Sequence, residues 1–415
     1  MNYSTTTIQS APSQLSLFEP VLKAYADRQS LTNDELYRHL SDTCSITEAQ
    51  WQERVPIGKS GEKHNLVRRR VRWIQQTLKK LDLIERVPQG RGVWRATEKA
   101  GKDLTIAMPD KVMLAFSTDL GIALWAKCES VFPRIDEPIH LVLSSPPYPL
   151  AIPRKYGGPT QAQYVDFICE ALEPVMRHLV PGGAIALNIS NDIFLSGSPA
   201  RSLYREELVI ALHRRLSLFK TDTLIWADKS KAPGPIQWAS KQRFQLNTAW
   251  EPIYVFTNDP LRFRGNNQRV LQPHSERHLR LMARGGENRT TNYGDGANRL
   301  RPGSFSKVTA GRIPKNVLNF GHRCHDQNEL RKIAADKGLP VHPATMPLAL
   351  AKFLVEYLSE KGDLVADLFS GWLTTAAAAQ ELGRRWIASE AVLEYVFGAS
   401  HRKEFTTAPG FSLAL

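Results

Sequence analysis

The sequence predicts an α/β protein, with a doubly wound, Rossmann-like sheet and a small helical domain before it. Short apolar strands alternate with helical stretches from about residue 110 onward, which is typical of a mostly parallel sheet with helices on both faces. Before residue 105 the apolar residues recur instead at helical spacing. Five regions are expected: a disordered tail at 1–14, a winged-helix domain at 15–105, two halves of the main domain at 106–257 and 317–415, and an inserted segment at 258–316.

The N-terminal region has the sequence signals of a winged helix-turn-helix. TNDE (32–35) and SITE (45–48) each have the pattern of a capping box at a helix start. An apolar stripe then follows one helix at spacings of three and four: Val67, Val71, Ile74, Leu78 and Leu81. Two short strands, 83–87 and 93–97, flank a Gly-rich basic turn at 88–92 and predict the wing. This layout resembles the N-terminal domain of Mrr-type restriction proteins.

The charge of the chain favours a polyanionic partner. Its formal net charge is +13 and its pI is near 9.6, and a basic surface concentrates polyanions. Residues 68–72 of the striped helix contain four arginines, and the wing turn adds Arg91. A solvated amphipathic helix or a protein-contact surface would also explain these residues, but their clustering favours nucleic acid.

The main domain is predicted from its alternating elements. The expected strands are 139–143, 184–190, 223–227, 250–257, 363–369 and 385–390. The expected helices are 161–180, 203–219, 350–358 and 374–383, and PGG (181–183) is expected to turn the chain between a helix and a strand.

Residues 258–316 interrupt this alternation with many Arg, Asn and Gly residues and few aliphatic ones. A disordered linker has such a composition. A segment that reads nucleic acid has it too, because Arg and Asn contact base edges and phosphates. The position of the segment inside the main domain favours the second interpretation.

Two motifs carry the chemistry of the main domain. SPPY (145–148) directly follows an apolar strand, and its prolines make a rigid corner. DLFSGWLTT (367–375) lies between a strand and an Ala-rich helix, and Glu390 closes the next strand. An acidic residue and a glycine at a strand-to-helix turn suit a nucleoside-bearing cofactor, and a second acidic residue can accept hydrogen bonds from ribose hydroxyls. Each motif alone is weak, because Pro-Pro also marks ordinary turns.

Together these motifs resemble the amino-methylating DNA methyltransferases that use S-adenosylmethionine. The order, with the catalytic motif first and the cofactor loop last, resembles the beta class of that family. The resemblance extends over SPPYPLAIPRKYGG (145–158), LVPGGAIALNISND (179–192), HPATMP (342–347) and the cofactor half after residue 365. The serine form of the tetrapeptide is typical of cytosine-N4 enzymes, and an aspartate there is more typical of adenine-N6 enzymes. Adenine-N6 methylation by the same fold remains the second candidate.

The resemblance implies a mechanism and a set of site residues. Ser145 Oγ and the Pro146 carbonyl would accept hydrogen bonds from the amine of a flipped-out cytosine, Pro147 would hold the corner rigid, and Tyr148 would stack on the base. The cofactor would be bound by Asp367, Phe369, Ser370, Gly371, Thr374, Glu390, His342 and Pro343. The expected DNA contacts are Arg68, Arg69, Arg70, Arg91, Arg154, Arg264, Arg284 and Arg289.

The cofactor loop departs from the family pattern DPF-x-GSGTT. Leu368 replaces the proline, and Trp372 and Leu373 replace Ser-Gly, which removes a glycine suited to positive φ. We expect binding to survive because Asp367, Phe369, Gly371 and Glu390 remain. A DNA-binding regulator built on a decayed methyltransferase is a third candidate, and the altered loop is its main support.

The sequence has no clear signal for a metal site, a disulfide framework or a membrane span. The four cysteines form no CxxC pair, HRCH (322–325) matches no common zinc spacing, and no apolar stretch is long enough to span a bilayer. We therefore expect no metal, no membrane contact and a reducing bacterial cytoplasm. Double-stranded DNA is the expected partner, a cognate restriction endonuclease is a further candidate, and the chain is expected to be a monomer or a homodimer.

Overall fold

The computed structural model of the protein describes residues 14–26, 30–57, 61–80, 83–88, 90, 92–97, 104–228, 230–294, 296–322 and 324–413. Most of the predicted tail, and also Leu81 and Arg91, lie outside the described residues.

The described helices and strands follow one another in alternation over most of the chain. The helices are α1 (Gln14–Ala26), α2 (Asn33–Cys44), α3 (Glu48–Gln52), α4 (Leu66–Lys80), α5 (Cys128–Val131), α6 (Tyr164–Met176), α7 (Tyr204–Leu216), α8 (Glu276–Ala283), α9 (His325–Asp336), α10 (Leu348–Leu358), α11 (Thr374–Glu381), α12 (Leu393–Ala399) and α13 (Lys403–Thr406). The strands are β1 (Leu31–Thr32), β2 (Arg54–Ile57), β3 (Glu62–Asn65), β4 (Ile84–Arg86), β5 (Val93–Ala96), β6 (Met113–Ser117), β7 (Gly121–Trp125), β8 (Ile139–Ser144), β9 (Leu179–Asn188), β10 (Phe219–Ala227), β11 (Trp250–Thr257), β12 (Thr291–Tyr293), β13 (Asn298–Leu300), β14 (Val317–Asn319), β15 (Leu364–Asp367), β16 (Arg385–Glu390) and β17 (Ser412–Leu413).

The N-terminal domain is a helical unit with a three-stranded antiparallel wing sheet in the order β1-β5-β4. Helix α4 buries its apolar stripe, including Val67, Val71 and Ile74, against this unit. The Thr32 side chain caps α2 in the predicted capping box with Glu35. The N-terminal domain reaches the main domain through Phe18, whose ring lies edge-on to Trp125 at 5.7 Å between centroids.

Two details of this domain differ from the sequence expectation. Helix α3 is capped by Thr47 with Gln50 rather than by Ser45, because Ser45 ends α2 in the left-handed conformation with φ of 52°. The hairpin β2–β3 was not predicted, because both strands have only four residues and EKHN contains no apolar one.

The main domain contains a ten-stranded sheet in the order β14-β10-β11-β9-β8-β15-β16-β7-β6-β17. The central strands from β9 to β7 are mutually parallel, so the carboxyl ends of β8, β9, β15 and β16 lie along one edge. We call it the carboxyl edge and the opposite one the amino edge. Strand β10 also ends at the carboxyl edge, because two antiparallel pairings, through β11, relate it to β9.

Helices cover both faces of this sheet, as predicted. Helices α6 and α7 contribute Leu172 and Leu208 to one buried cluster, and α10 and α11 contribute Leu354 and Ala377 to another. Strand β8 serves both clusters, with Val142 on the first face and its neighbours on the second. Its apolar run follows from this two-sided burial.

The predicted boundaries need small corrections. A 3₁₀ turn at Gln161–Gln163 precedes α6, which ends at Met176 rather than 180, and β15 ends at Asp367 rather than 369. The PGG sequence lies inside β9 instead of forming a separate turn, and Gly182 has φ of +78° where a side chain would collide with the Arg262 carbonyl. None of the helices in the described part of the chain combines the length and apolarity that crossing a bilayer requires.

Candidate active site

The two motifs singled out in the sequence meet at the carboxyl edge. Strands β8 and β15 are hydrogen-bonded neighbours, so the corner after β8 lies beside the loop after β15. Ser144 Oγ donates to Asp367 Oδ1 at 2.6 Å, and the Phe369 N–H donates to the same carboxylate oxygen at 3.2 Å. Residues more than 220 positions apart therefore form one site.

A single cavity of about 680 Å³ joins these motifs. Its lining includes all of residues 145–148 from the corner. From the predicted cofactor set the lining includes Asp367, Phe369, Ser370, Gly371, Thr374, Glu390 and His342. Pro343 is not among the lining residues, although His342 and Ala344 on either side of it are.

The corner is held by a network that the sequence did not reveal. Tyr148 Oη lies 3.3 Å from Ser145 Oγ and donates to Glu251 Oε2 at 3.1 Å. Asn188 Nδ2 donates to Tyr148 Oη at 2.8 Å, and Lys231 Nζ pairs with the other Glu251 oxygen at 3.1 Å. Burial, with Glu251 nearby, raises the pKa of Tyr148 well above its ordinary value, so the phenol keeps its proton.

The network residues outside the SPPY motif were not predicted, because only the tertiary structure brings them to the corner. Asn188 ends β9, Glu251 is the second residue of β11, and Lys231 lies in the loop before that strand. The one sequence signal is Glu251 itself, an acidic residue in the otherwise uncharged strand WEPIYVFT.

The cofactor loop is organised around Glu390. Its two carboxylate oxygens accept hydrogen bonds from the Gly371 N–H at 2.7 Å and the Val392 N–H at 2.8 Å. Burial raises the pKa of Glu390 to about 7 and that of Asp367 to about 6. The Ser370 hydroxyl donates to the Ser389 carbonyl at 2.7 Å, which ties the loop to β16.

The loop keeps two turn positions with positive φ, 371 and 373, despite its unusual sequence. Gly371 has φ of +51°, and Leu373 has φ of +54° in the position where the family has its second glycine. The Leu373 side chain is buried, and the Trp372 side chain is only 2% exposed, so neither projects freely over the cavity. The Trp372 carbonyl accepts from Arg402 Nη1 at 3.2 Å. Trp372 is therefore packed in the core while part of it lines the cavity.

An aromatic wall closes the other side of the cavity. His342 stacks on Tyr156 with ring centroids 5.8 Å apart, and Tyr395 meets the His342 ring at 4.6 Å. Burial lowers the pKa of His342 to about 4, so its ring is neutral at physiological pH. A side chain at Gly371 would place its Cβ 2.9 Å from His342 Nε2, so the loop and the wall are in close contact.

The predicted DNA-contacting arginines fall into different environments. Arg68 and Arg69 project from α4, and Arg154 lies on the loop after β8; all three are exposed. Arg284 and Arg289 are also exposed, and Arg289 pairs with Glu287 at 3.4 Å. These five residues remain available for DNA.

The structure contradicts the predicted DNA contacts of two other arginines. Arg70 is 6% exposed within the N-terminal domain, because it lies on the face of α4 that carries the apolar stripe. Arg264 binds Asp363 at 3.1 Å, directly before β15 at the amino edge. Arg269 pairs with Glu360 beside it. The start of the inserted segment therefore fastens to α10, on the opposite side from the cavity.

The HRCH sequence does not form a metal cluster in the described part of the chain. His322 Nδ1 bonds Asp228 at 2.7 Å, and Cys324 donates to Asp326 at 2.7 Å. Among the described residues, no three ligand-type side chains converge there.

These features define an α/β methyltransferase, and the comparison with known proteins agrees. Residues 139–400, more than half of the chain, match the family described as DNA methylase. The chain belongs to this family and is a DNA methyltransferase, and its methyl donor is S-adenosylmethionine. Residues 15–105 match the Mrr N-terminal domain.

Particular relatives are similar over the main domain. The chain is 30% identical over 267 residues to the type II methyltransferase M.PvuII of Proteus hauseri, covering 64% of this chain and 78% of that protein. It is 24% identical to M.BglII of Bacillus subtilis, covering 63% and 62%. The solved PvuII DNA methyltransferase, described as cytosine-N4-specific, superposes with a TM-score of 0.54 at 23% identity, covering 71% of this chain and 93% of that chain. The last comparison shows the shared fold.

Proposed function

We propose that the protein is a site-specific DNA methyltransferase that methylates the N4 amine of cytosine. The observation that carries the proposal is the single cavity lined by the serine corner at 145–148 and by the loop at 367–375. One cavity can hold a nucleobase beside a methyl donor. The serine form of the corner and the similarity to M.PvuII support cytosine-N4 over adenine-N6.

The cofactor loop fits S-adenosylmethionine by its donors and acceptors. S-adenosylmethionine supplies an electrophilic methyl group on a sulfonium when it is bound. Glu390 offers a buried carboxylate to ribose hydroxyls, and Gly371 allows close backbone approach. The wall of His342, Tyr156 and Tyr395 offers flat apolar surface for a purine ring.

The corner network explains how the amine is activated. Tyr148 donates to the Glu251 carboxylate, so the Ser145 hydroxyl donates to Tyr148. Ser145 Oγ accepts one long hydrogen bond, from Asn188 Nδ2 at 3.5 Å, and keeps a second lone pair free. That lone pair and the Pro146 carbonyl can accept the two amine hydrogens, which restores lone-pair density on the nitrogen. The proton that the amine loses can pass to Ser145 while the hydroxyl protons shift through Tyr148 to Glu251. Positioning supplies most of the rate gain.

The DNA contacts are assigned to exposed arginines on two regions. Arg68 and Arg69 on α4 would bind the phosphates near the wing, and Arg154 would act beside the target base. Arg284 and Arg289 in the inserted segment would contribute to sequence recognition. Arg91 in the wing turn is also proposed to contact DNA. The division of the chain into the five regions 1–14, 15–105, 106–257, 258–316 and 317–415 is part of the same proposal.

A restriction–modification function in the bacterial cytoplasm fits the type II methyltransferases among the relatives. In that setting a cognate endonuclease would cut the same sites in unmodified DNA, and the methyltransferase would act as a monomer or a homodimer.

The test is expression in a host that lacks its own DNA methylation, followed by sequencing with modified-base detection and mass analysis of the nucleosides. We expect N4-methylcytosine in one short sequence context, and none in a host that expresses Ser145→Ala. N6-methyladenine in place of N4-methylcytosine would show that the target base is adenine. Tight DNA binding without any methylated base would show a regulator.

A further inference from the structure

The loop between β10 and β11, residues 228–249, presents large apolar side chains at the carboxyl edge. Ile236 is 62% exposed, Phe244 is 68% exposed and Leu246 is 90% exposed. Single exposed apolar residues are common, but three in one loop at the carboxyl edge point to an occupant. We call these three side chains the apolar patch.

Hydrogen bonds hold this loop in a defined shape. The Asp228 N–H donates to the Ala249 carbonyl at 2.9 Å and closes the base of the loop. The Phe244 N–H donates to the Trp238 carbonyl at 2.8 Å, which folds the tip. The backbone that carries these apolar side chains is therefore already ordered, so the loop would lose little conformational entropy on binding.

The loop is attached directly to the catalytic corner. Its residue Lys231 binds Glu251, which follows the loop and holds Tyr148 at 3.1 Å. On its other side, Gln245 Nε2 donates to the Pro199 carbonyl at 2.6 Å, which fastens the loop to the chain after β9. The patch therefore lies at the same edge as the cavity that would receive the target base.

The charge of the loop identifies its occupant. Residues 228–249 include one acidic residue, the buried Asp228, and four basic residues: Lys229, Lys231, Lys241 and Arg243. A partner with a negatively charged surface and an apolar interior matches this combination, and duplex DNA has phosphates outside and stacked bases inside.

We propose that Phe244 and Leu246 enter the base stack beside the target and occupy the space left when that base moves into the cavity. The proposal rests on the proposed function, because a base inside a duplex cannot reach Ser145 without leaving the stack. Apolar side chains that fill such a gap offset part of the unstacking energy. The exposed Lys241 and Arg243 of the same loop would bind the phosphates on either side.

The test compares two DNA substrates that contain the recognition sequence found by modified-base sequencing. One is a matched duplex, and in the other the target cytosine faces a mismatched base, which makes it easier to flip. The double variant Phe244→Ala/Leu246→Ala should lose at least about tenfold in rate on the matched duplex and stay within about threefold of the unmodified protein on the mismatched duplex. The matched control is Leu261→Ala, because Leu261 is 97% exposed after β11 at the amino edge.

Three results would overturn the proposal. The first is an unchanged rate on the matched duplex, and the second is an equal loss on both substrates, which would point to a general defect in DNA binding. The third is a different oligomeric state of the double variant by light scattering, which would identify a second copy of the chain as the occupant. Failure of the proposed function is separate, since the unmodified protein would then methylate neither substrate.

Discussion

Gly371 in the cofactor loop has too little space for a side chain, because it lies against the His342 ring. Its φ is +51°, and a Cβ would lie 2.9 Å from His342 Nε2. We expect Gly371→Ala to weaken S-adenosylmethionine binding by about tenfold, equivalent to about 1.4 kcal/mol, because His342 must shift in the wall of the cavity. Calorimetric titration measures this change.

The control for this substitution is Gly362→Ala. Gly362 also has a positive φ, of +87°, but no atom lies near its would-be Cβ. Both variants should lose about 1 kcal/mol in free energy of unfolding from the strained backbone. Equal cofactor affinity in the two variants would contradict the role of Gly371.

Glu390 should make cofactor binding depend on pH near neutrality. Its pKa is raised to about 7 by burial, so the group is mostly protonated below that pH and mostly ionised above it. Ribose hydroxyls donate to the ionised form, so affinity should increase by about tenfold between about pH 6 and about pH 8. Titrations across this range measure the slope.

The matched variant for this prediction is Glu390→Gln, which cannot ionise. It should bind more weakly at high pH and show a flatter profile, with only the contribution of Asp367 remaining below about pH 6. The same slope in both proteins would assign the pH dependence to another group.

At the scale of elements, the start of β11 supports the corner after β8. Glu251 holds Tyr148, which in turn contacts Ser145. Glu251→Gln should lower the single-turnover methylation rate by about a hundredfold, because the amide cannot take up the relayed proton and because small displacements of catalytic groups are costly. Cofactor affinity should stay unchanged, since Glu251 does not line the cavity.

Two further variants separate positioning from general damage. Glu251→Asp keeps the charge and should recover part of the rate, while Glu206→Gln on the exposed surface of α7 should have no effect. Loss of cofactor affinity in parallel with rate would contradict a role of Glu251 in the corner.

Elements with strong local signals could be predicted from the sequence, and contacts between elements could not. The apolar run of β8 and the cap of α2 depend on neighbouring residues, so their pattern is visible in the chain. The network of Asn188, Glu251 and Tyr148 comes from three separate strand ends. Side-chain chemistry also could not distinguish the exposed Arg68 from the buried Arg70, because only the packing of α4 separates them.

At the scale of the whole molecule, the N-terminal domain and the catalytic domain should share the affinity for DNA. Arg68 and Arg69 are exposed on α4, so the variant Arg68→Ala/Arg69→Ala should bind DNA more weakly regardless of sequence. The slope of log affinity against log salt should become shallower by about 2, one unit for each lost phosphate contact. Fluorescence anisotropy over a salt series measures this slope.

A pair with the same change in net charge controls for overall electrostatics. Arg177 and Arg214 are exposed at the ends of α6 and α7, toward the amino edge. Their double substitution by alanine should leave the slope unchanged. An equal effect of both pairs would show that binding responds only to total charge.

The hydrogen bond between Ser144 and Asp367 has a consequence for how this chain can be rearranged. Because the two halves meet through neighbouring strands, the site does not depend on which half is synthesised first. A circularly permuted chain, or two separately expressed fragments that still place β8 beside β15, would rebuild the same pocket.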